Sequence, residues 1–189
     1  MNRRLLLGVA VLFIFGGILA PLGDLCHFLS GTLAYPLTTS KLPGCELPWW
    51  DPLLFGSAVL GMGLPDLLGI LPIKKDGRAS SLALIIASTT AFLGLYAISG
   101  FLPLQTGGVR DGVLAVVAFG IWFIWDRSAL TFILGVIVAI IGASVEIFLV
   151  SRGVFYYLAP NFFGIASWIP WLYFAAIVPV RALAQRFAR

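Results

Sequence analysis

The sequence predicts an all-α integral membrane protein: a single domain over residues 1–189, built as one bundle of six transmembrane helices with both termini cytosolic. Three observations carry this. The 189-residue chain is 60% hydrophobic and 11% charged, whereas about a quarter of the residues in a soluble domain are charged. Its apolar runs reach the roughly 20 residues that a helix needs to cross a bilayer. Its Lys and Arg residues lie unevenly about those runs, as the preference for basic cytosolic loops requires. The net charge of +4 comes from short loops and the termini, with no basic run interleaved with aromatics, so no nucleic-acid surface is implied.

The first predicted span, 5–23, has an apolar stretch longer than that of a signal peptide and lacks a clean small-x-small cleavage site, so it is read as retained. The second, 49–73, opens on Trp49, Trp50 and Pro52, aromatics suited to the membrane boundary and a proline suited to a first helical turn. Pro65 predicts a kink and a free carbonyl beside Asp66. The third span covers 79–103. The fourth, 109–125, is strongly apolar only over 113–125, so it either starts nearer Gly107 or sits tilted among its neighbours. The fifth is 128–150, and the sixth, 167–183, opens on Trp168 and Pro170. With a cytosolic N-terminus, Arg3, Arg4, Lys74, Lys75, Arg78, Arg127, Arg181, Arg186 and Arg189 fall inside, against Lys41, Arg110 and Arg152 outside. Omitting the fourth span would spoil that asymmetry.

The two longest connections, 24–48 and 151–166, both fall outside and resemble one another. One unit reads "DLCHFLSGTLAYP" then "WWDPLLF"; the other reads "EIFLVSRGVFYYLAP" then "SWIPWLY". Asp24 and Glu146, Gly31 and Gly153, and Tyr35 and Tyr157 share one offset. Trp50 and Trp168, Pro52 and Pro170, and Phe55 and Tyr173 share another. Either an ancient duplication produced them, or outer hairpins converge on Gly, Tyr, Trp and Pro for local reasons. Cys26 and Cys45 belong to this outer region, as a disulfide in an oxidising compartment or as two free thiols.

Ionisable groups inside apolar spans are costly and tend to face a cavity or a partner. In the fifth span Gly135, Ala139, Gly142 and Glu146 share one helical face, a stripe of small residues ending in a carboxyl. Glu146 either lines an intramembrane pocket, where it meets a lipid hydroxyl, or is an interfacial carboxylate solvated or paired with Arg152. Asp66, in "GLPDLLG", either lines a pocket or hydrogen-bonds a neighbouring span. His27 and Asp24 read as an interfacial pair. A lone histidine makes a metal site improbable on ligand count, and neither a nucleophile elbow nor a phosphate-cradling glycine loop is present. No cofactor is expected.

"IWFIWDRSALTFILG" and "FLVSRGVFYYLAPNFFGIASWIP" resemble the Insig (insulin-induced gene) family. The resemblance rests on Asp126–Ser128, Phe148-Leu149-Val150-x-x-Gly153-Val154, Tyr157, Pro160-Asn161-Phe162 and Ser167-Trp168-Ile169-Pro170, with Trp49, Trp50, Pro52 and Gly56 upstream. It implies a non-enzymatic six-helix membrane protein. Eukaryotic members sit in the endoplasmic reticulum, bind oxysterols within the bundle, and hold a sterol-sensing escort protein and hydroxymethylglutaryl-coenzyme A reductase. It also implies that Asp126 contacts partner proteins; a local role for Asp126 is to cap the helix that starts at Ser128. Glu146-Ile147 departs from the Thr-Gln of eukaryotic members, and the compact chain resembles the prokaryotic branch. That points to a bacterial cell membrane rather than the endoplasmic reticulum, and to a diacylglycerol-like rather than a sterol-like lipid. The expected lipid-binding residues are Asp66, Gly142, Glu146, Ile147, Phe148, Tyr157 and Trp168, with Asp126 for membrane-protein partners and homo-oligomers possible through glycine faces. The competing class is an isoprenoid hydratase or cyclase with Asp24, Asp66 and Glu146 as acids.

Overall fold

Each helix begins and ends where local chemistry dictates. The computed structural model describes residues 3–72, 81–102 and 107–188. Helix α1 (Arg3–Leu29) runs past its predicted end at Gly23, because Asp24 and His27 find partners within the bundle. The chain then turns at Gly31, whose φ of 68° suits glycine. Helix α2 (Asp51–Leu67) is shorter than predicted. It continues through Pro65 and stops at Gly69, where the Gly69 and Ile70 amides donate to the carbonyls of Asp66 and Pro65. Ser81 caps α3 (Leu82–Phe101), and Ser128 caps α5 (Ala129–Ser151), each hydroxyl accepting from the amide three residues on. Helix α4 (Gly107–Trp125) takes the earlier of the two expected starts. Helix α6 (Ile169–Ala188) outruns its predicted end because Arg181 and Gln185 are accommodated inside the protein.

Four of these helices are long and apolar enough to cross a membrane: Arg3–Leu29, Leu82–Phe101, Gly108–Trp125 and Ala129–Ser151. The 17-residue α2 is shorter than the roughly 20 residues typical of a span, and α6 carries Arg181, Gln185 and Arg186. The basic residues Lys74, Lys75, Arg78 and Arg189 used in the orientation argument lie outside the described residues. Arg181, also counted there, is buried in the bundle.

Helix α6 is the hub. It touches each of the other five helices, and most of its length is buried, with alanines at 175, 176, 182 and 184 admitting close neighbours. Helices α1 and α2 form one tight hairpin, α5 and α6 the other. In the first, a Cβ on Gly16 would lie 2.6 Å from the Phe55 carbonyl oxygen; in the second, one on Gly142 would lie 2.4 Å from the Tyr173 ring. The turns of the two hairpins meet in a short antiparallel pair, β1 (Leu33–Ala34) with β2 (Tyr156–Tyr157), in which Leu33 faces Tyr157 and Ala34 faces Tyr156. Large apolar side chains such as Ile14, Ile86, Val116, Ile140 and Phe148 point outward, as lipid-facing surfaces do.

Candidate functional site

The repeated residues of the sequence become repeated geometry. In the first turn the amides of Ser30, Gly31 and Thr32 donate to the carbonyls of Cys26, Phe28 and His27. In the second, Arg152, Gly153 and Val154 donate to the matching carbonyls of Phe148, Val150 and Leu149. Gly31 and Gly153 hold φ of 68° and 70°. Tyr35 meets Trp50 edge-on at 6.2 Å, and Tyr157 meets Trp168 edge-on at 6.5 Å.

Each turn delivers a tyrosine to the acid of its own hairpin. Tyr35 donates to Asp24 Oδ2 at 3.1 Å, and Tyr157 to Glu146 Oε2 at 2.5 Å. A second tyrosine completes each clasp. Tyr96 of α3 donates to Asp24 Oδ1 at 2.6 Å, and Tyr173 of α6 to Glu146 Oε1 at 2.8 Å. Burial raises the Tyr35 and Tyr157 hydroxyls far above the ordinary phenol range, with the adjacent carboxyl acting in the same direction, so both remain protonated donors.

Between α2 and α5 lies a cavity of about 610 Å³, within the range of about 300–1,000 Å³ typical of ligand pockets. Its walls are mostly aliphatic and aromatic, with Phe55 and Met62 from α2, Ile141 and Leu149 from α5, and Ile177 from α6 behind. Ile137, Ile141 and Val145 at the rim are exposed, so the cavity opens sideways between the two helices. The turns close one end, where Asp24, Asp51, Glu146, Tyr157 and Tyr173 gather among the lining. This is an amphipathic cavity, apolar along its length and carboxyl-rich at one end.

Beyond the other end sits a buried ion pair. Arg181 Nε and Nη2 donate to Asp66 Oδ2 and Oδ1, each at 2.9 Å, and Gln185 adds a bond to Oδ1 at 3.0 Å. Arg181 Nη1 donates to Thr131 Oγ1 at 2.5 Å, and Thr131 lies 2.9 Å from the Ser128 hydroxyl. Asp126 accepts from both the amide and the hydroxyl of Ser128. The Asp-Arg-Ser element is thereby wired to the centre of the bundle.

The sequence-predicted residues divide accordingly. Glu146, Gly142 and Tyr157 line the cavity together. Trp168 is buried behind Tyr157, beneath the Arg110 guanidinium. Ile147 lies on another face of α5, in a groove with Phe162 and Trp171, and Phe148 is exposed on the outer surface. Asp66 holds Arg181 rather than an open position, the inter-span hydrogen bonding already weighed as its second reading. The three acids of the enzyme reading do not converge: fifteen helical residues, roughly 22 Å of rise, separate Asp66 from Asp51 at the carboxyl-rich end. His27 bonds Ser99 at 2.8 Å instead of pairing with Asp24. Cys26 and Cys45 are free thiols. Sequence reasoning missed Asp51, Tyr96 and Tyr173 as site residues. Asp51 was visible as the middle residue of Trp50-x-Pro52, whose counterpart in the second unit is Ile169.

No family model matches the chain. It is 33% identical to the INSIG protein homolog of Mycolicibacterium vanbaalenii over 93% of this chain and 84% of that protein. It is 29% identical to human insulin-induced gene 1 protein over 99% of this chain and 68% of that one. Among solved structures, a mycobacterial Insig homologue, MvINS, superposes with a TM-score of 0.84 at 28% identity, covering 94% of this chain and 92% of that one. A cross-linked trimer of MvINS gives 0.85 at 29% identity, covering 96% and 95%. With its apolar helices, its carboxyl-tipped cavity and these relatives, this integral membrane protein belongs to the Insig family.

Proposed function

We propose that the protein is a non-enzymatic, Insig-like lipid-binding protein that regulates or scaffolds membrane partners from a bacterial cell membrane. The α2–α5 cavity carries this reading, because its single polar end and long apolar walls match a lipid with a small hydroxyl head and long tails, such as a diacylglycerol, better than a rigid sterol. Tails enter sideways past Ile137, Ile141 and Val145, and the head reaches the carboxyl and tyrosine groups. In this reading all six helices span the membrane with both termini cytosolic, α2 and α6 tolerating their shortness and polarity because the other helices shield them. Lipid occupancy favours one packing of α2 against α5 and α6. A partner reads that packing at Asp126, which Ser128, Thr131 and Arg181 link to α2 and α6. The trimer known for MvINS suggests a homo-oligomer here as well.

Native mass spectrometry of protein purified in mild detergent tests the reading: it predicts a co-purifying lipid, recovered chemically unchanged. Gly61→Leu supplies the cavity control. Gly61 lines the cavity, and a Cβ there meets nothing within 4 Å, so the added side chain starts in open space rather than against a neighbouring helix. Loss of the lipid adduct from a folded Gly61→Leu protein is the expected outcome. An unchanged adduct moves the site elsewhere, a wild-type protein that is always lipid-free removes the function, and a chemically altered lipid points to an enzyme.

A further inference from the structure

The carboxyl-rich end holds three acids in unequal states. Each oxygen of Glu146 and each oxygen of Asp24 already accepts a tyrosine hydroxyl. Asp51 does not share this arrangement. It is 1% exposed and lines the cavity, and neither of its side-chain oxygens has a hydrogen-bond partner. Buried polar groups are almost always hydrogen-bonded, and a buried carboxyl left bare is strongly disfavoured. None of the described lining residues is Lys, Arg or His, so the wall offers no cation to neutralise Asp51. The missing partner is therefore a donor that the cavity admits from outside.

We propose that Asp51 is the seat of the ligand's head, and that the head is a hydrogen-bond donor, a hydroxyl or a protonated amine, rather than an acceptor such as an ester or a phosphate. The inference rests on the lipid-binding reading and narrows it. Asp51 starts α2, where the positive end of the helix dipole favours a carboxylate. Trp50 lines the cavity beside it and gives the head an aromatic wall. The tyrosine clasps hold Glu146 and Asp24 back from direct competition for the donor. A phosphate head finds no counter-charge here: three carboxyl groups gather at this end, and no basic side chain stands among the described lining residues to pair with an anion.

The test is competitive native mass spectrometry in nanodiscs with three probes of matched tails: dioleoylglycerol, its acetylated form with the hydroxyl blocked, and a dioleoyl amine. Wild type is expected to retain the two donor probes at least about tenfold over the acetylated one, the worth of one hydrogen bond to a charged acceptor in a dry site. Asp51→Leu should bring that preference to near unity while still holding lipid. Asp51→Asn, nearly isosteric and with an amide oxygen able to accept, should keep the hydroxyl preference and weaken the amine. Equal retention of all three by wild type, or a preference that survives Asp51→Leu, overturns the proposal while leaving the lipid cavity intact. Retention of no probe overturns both.

Discussion

The α1–β1–α2 hairpin and the α5–β2–α6 hairpin make the same turn, the same acid–tyrosine bond and the same tyrosine–tryptophan contact. They differ in how the second bond to the acid is supplied. Tyr173 donates to Glu146 from within its own hairpin; the matching Phe55 has no hydroxyl, and Tyr96 of α3 takes that role for Asp24. The strand pair shows the same divergence. Leu158 donates its amide to the Thr32 carbonyl, while the corresponding Pro36 has no N–H to return the bond. Convergence on turn-forming residues accounts for the glycines, but local turn chemistry does not require an acid eleven residues before a tyrosine in both units. The comparison teaches that the two hairpins share one frame and differ in the chemistry inside it, and that Asp51, opposite Ile169, is part of that difference.

The largest expected effect lies at the far ends of the hairpins, where they differ most. Arg181 stands where the first hairpin has Gly63, and Asp66 where the second has Ala184; Gly63 packs directly against Ala184. The asymmetric pair ties α2 to α6. Arg181→Met leaves Asp66 buried without its cation and should cost about 3–5 kcal/mol. The double change Arg181→Met with Asp66→Leu should recover most of that loss, since both charges leave together. Thermal unfolding in detergent checks both. A single variant with wild-type stability would mean that the pair does not hold the hairpins together.

Much of this frame was legible in the sequence. Helix positions followed from apolar runs, and the Gly31/Gly153 and Tyr35/Tyr157 correspondences were readable as matched offsets because turns and boundary aromatics carry local signals. Glu146 stood out because a carboxyl in an apolar span has few innocent explanations. Three-dimensional complementarity stayed illegible. Nothing near Asp66 announces that Arg181, far along the chain, will meet it, and Tyr96 sits in an unremarkable apolar helix until Asp24 is brought beside it. Phe148 belongs to the stretch that carries the family resemblance, but it lies two residues past Glu146, and two residues along a helix point to different faces, so Phe148 faces outward.

The second prediction tests whether the two turns are equivalent. Gly31 and Gly153 adopt nearly identical left-handed conformations, with only Leu158 Cδ1 at 3.9 Å near the first and open space around the second. Ala at either position should cost about 1–2 kcal/mol from backbone strain alone. The two losses should agree within about 0.5 kcal/mol, since neither Cβ meets a close neighbour, and should add in the double variant. A markedly larger loss at Gly153 in thermal unfolding would break the equivalence and show that the β2 turn carries load that the β1 turn does not.

The smallest effect sharpens the comparison at the acids themselves. Tyr157→Phe and Tyr35→Phe each remove one hydroxyl while leaving the ring against its tryptophan. Each should cost about 0.5–1.5 kcal/mol. The loss should be larger at Tyr157, whose bond to Glu146 spans 2.5 Å against 3.1 Å for Tyr35 to Asp24. The variants also part company at the cavity. Without Tyr157, Glu146 Oε2 becomes a bare carboxyl oxygen in the cavity that Asp51 also lines, so a lipid with two donors on its head, such as a monoacylglycerol, should gain on a single-donor lipid. Tyr35→Phe frees an oxygen of Asp24, which also lines the cavity, and should shift the competition in the same direction by a smaller amount. Native mass spectrometry with the two lipids in competition reads the order directly. A Tyr35→Phe shift exceeding that of Tyr157→Phe would move the centre of recognition from the second hairpin to the first.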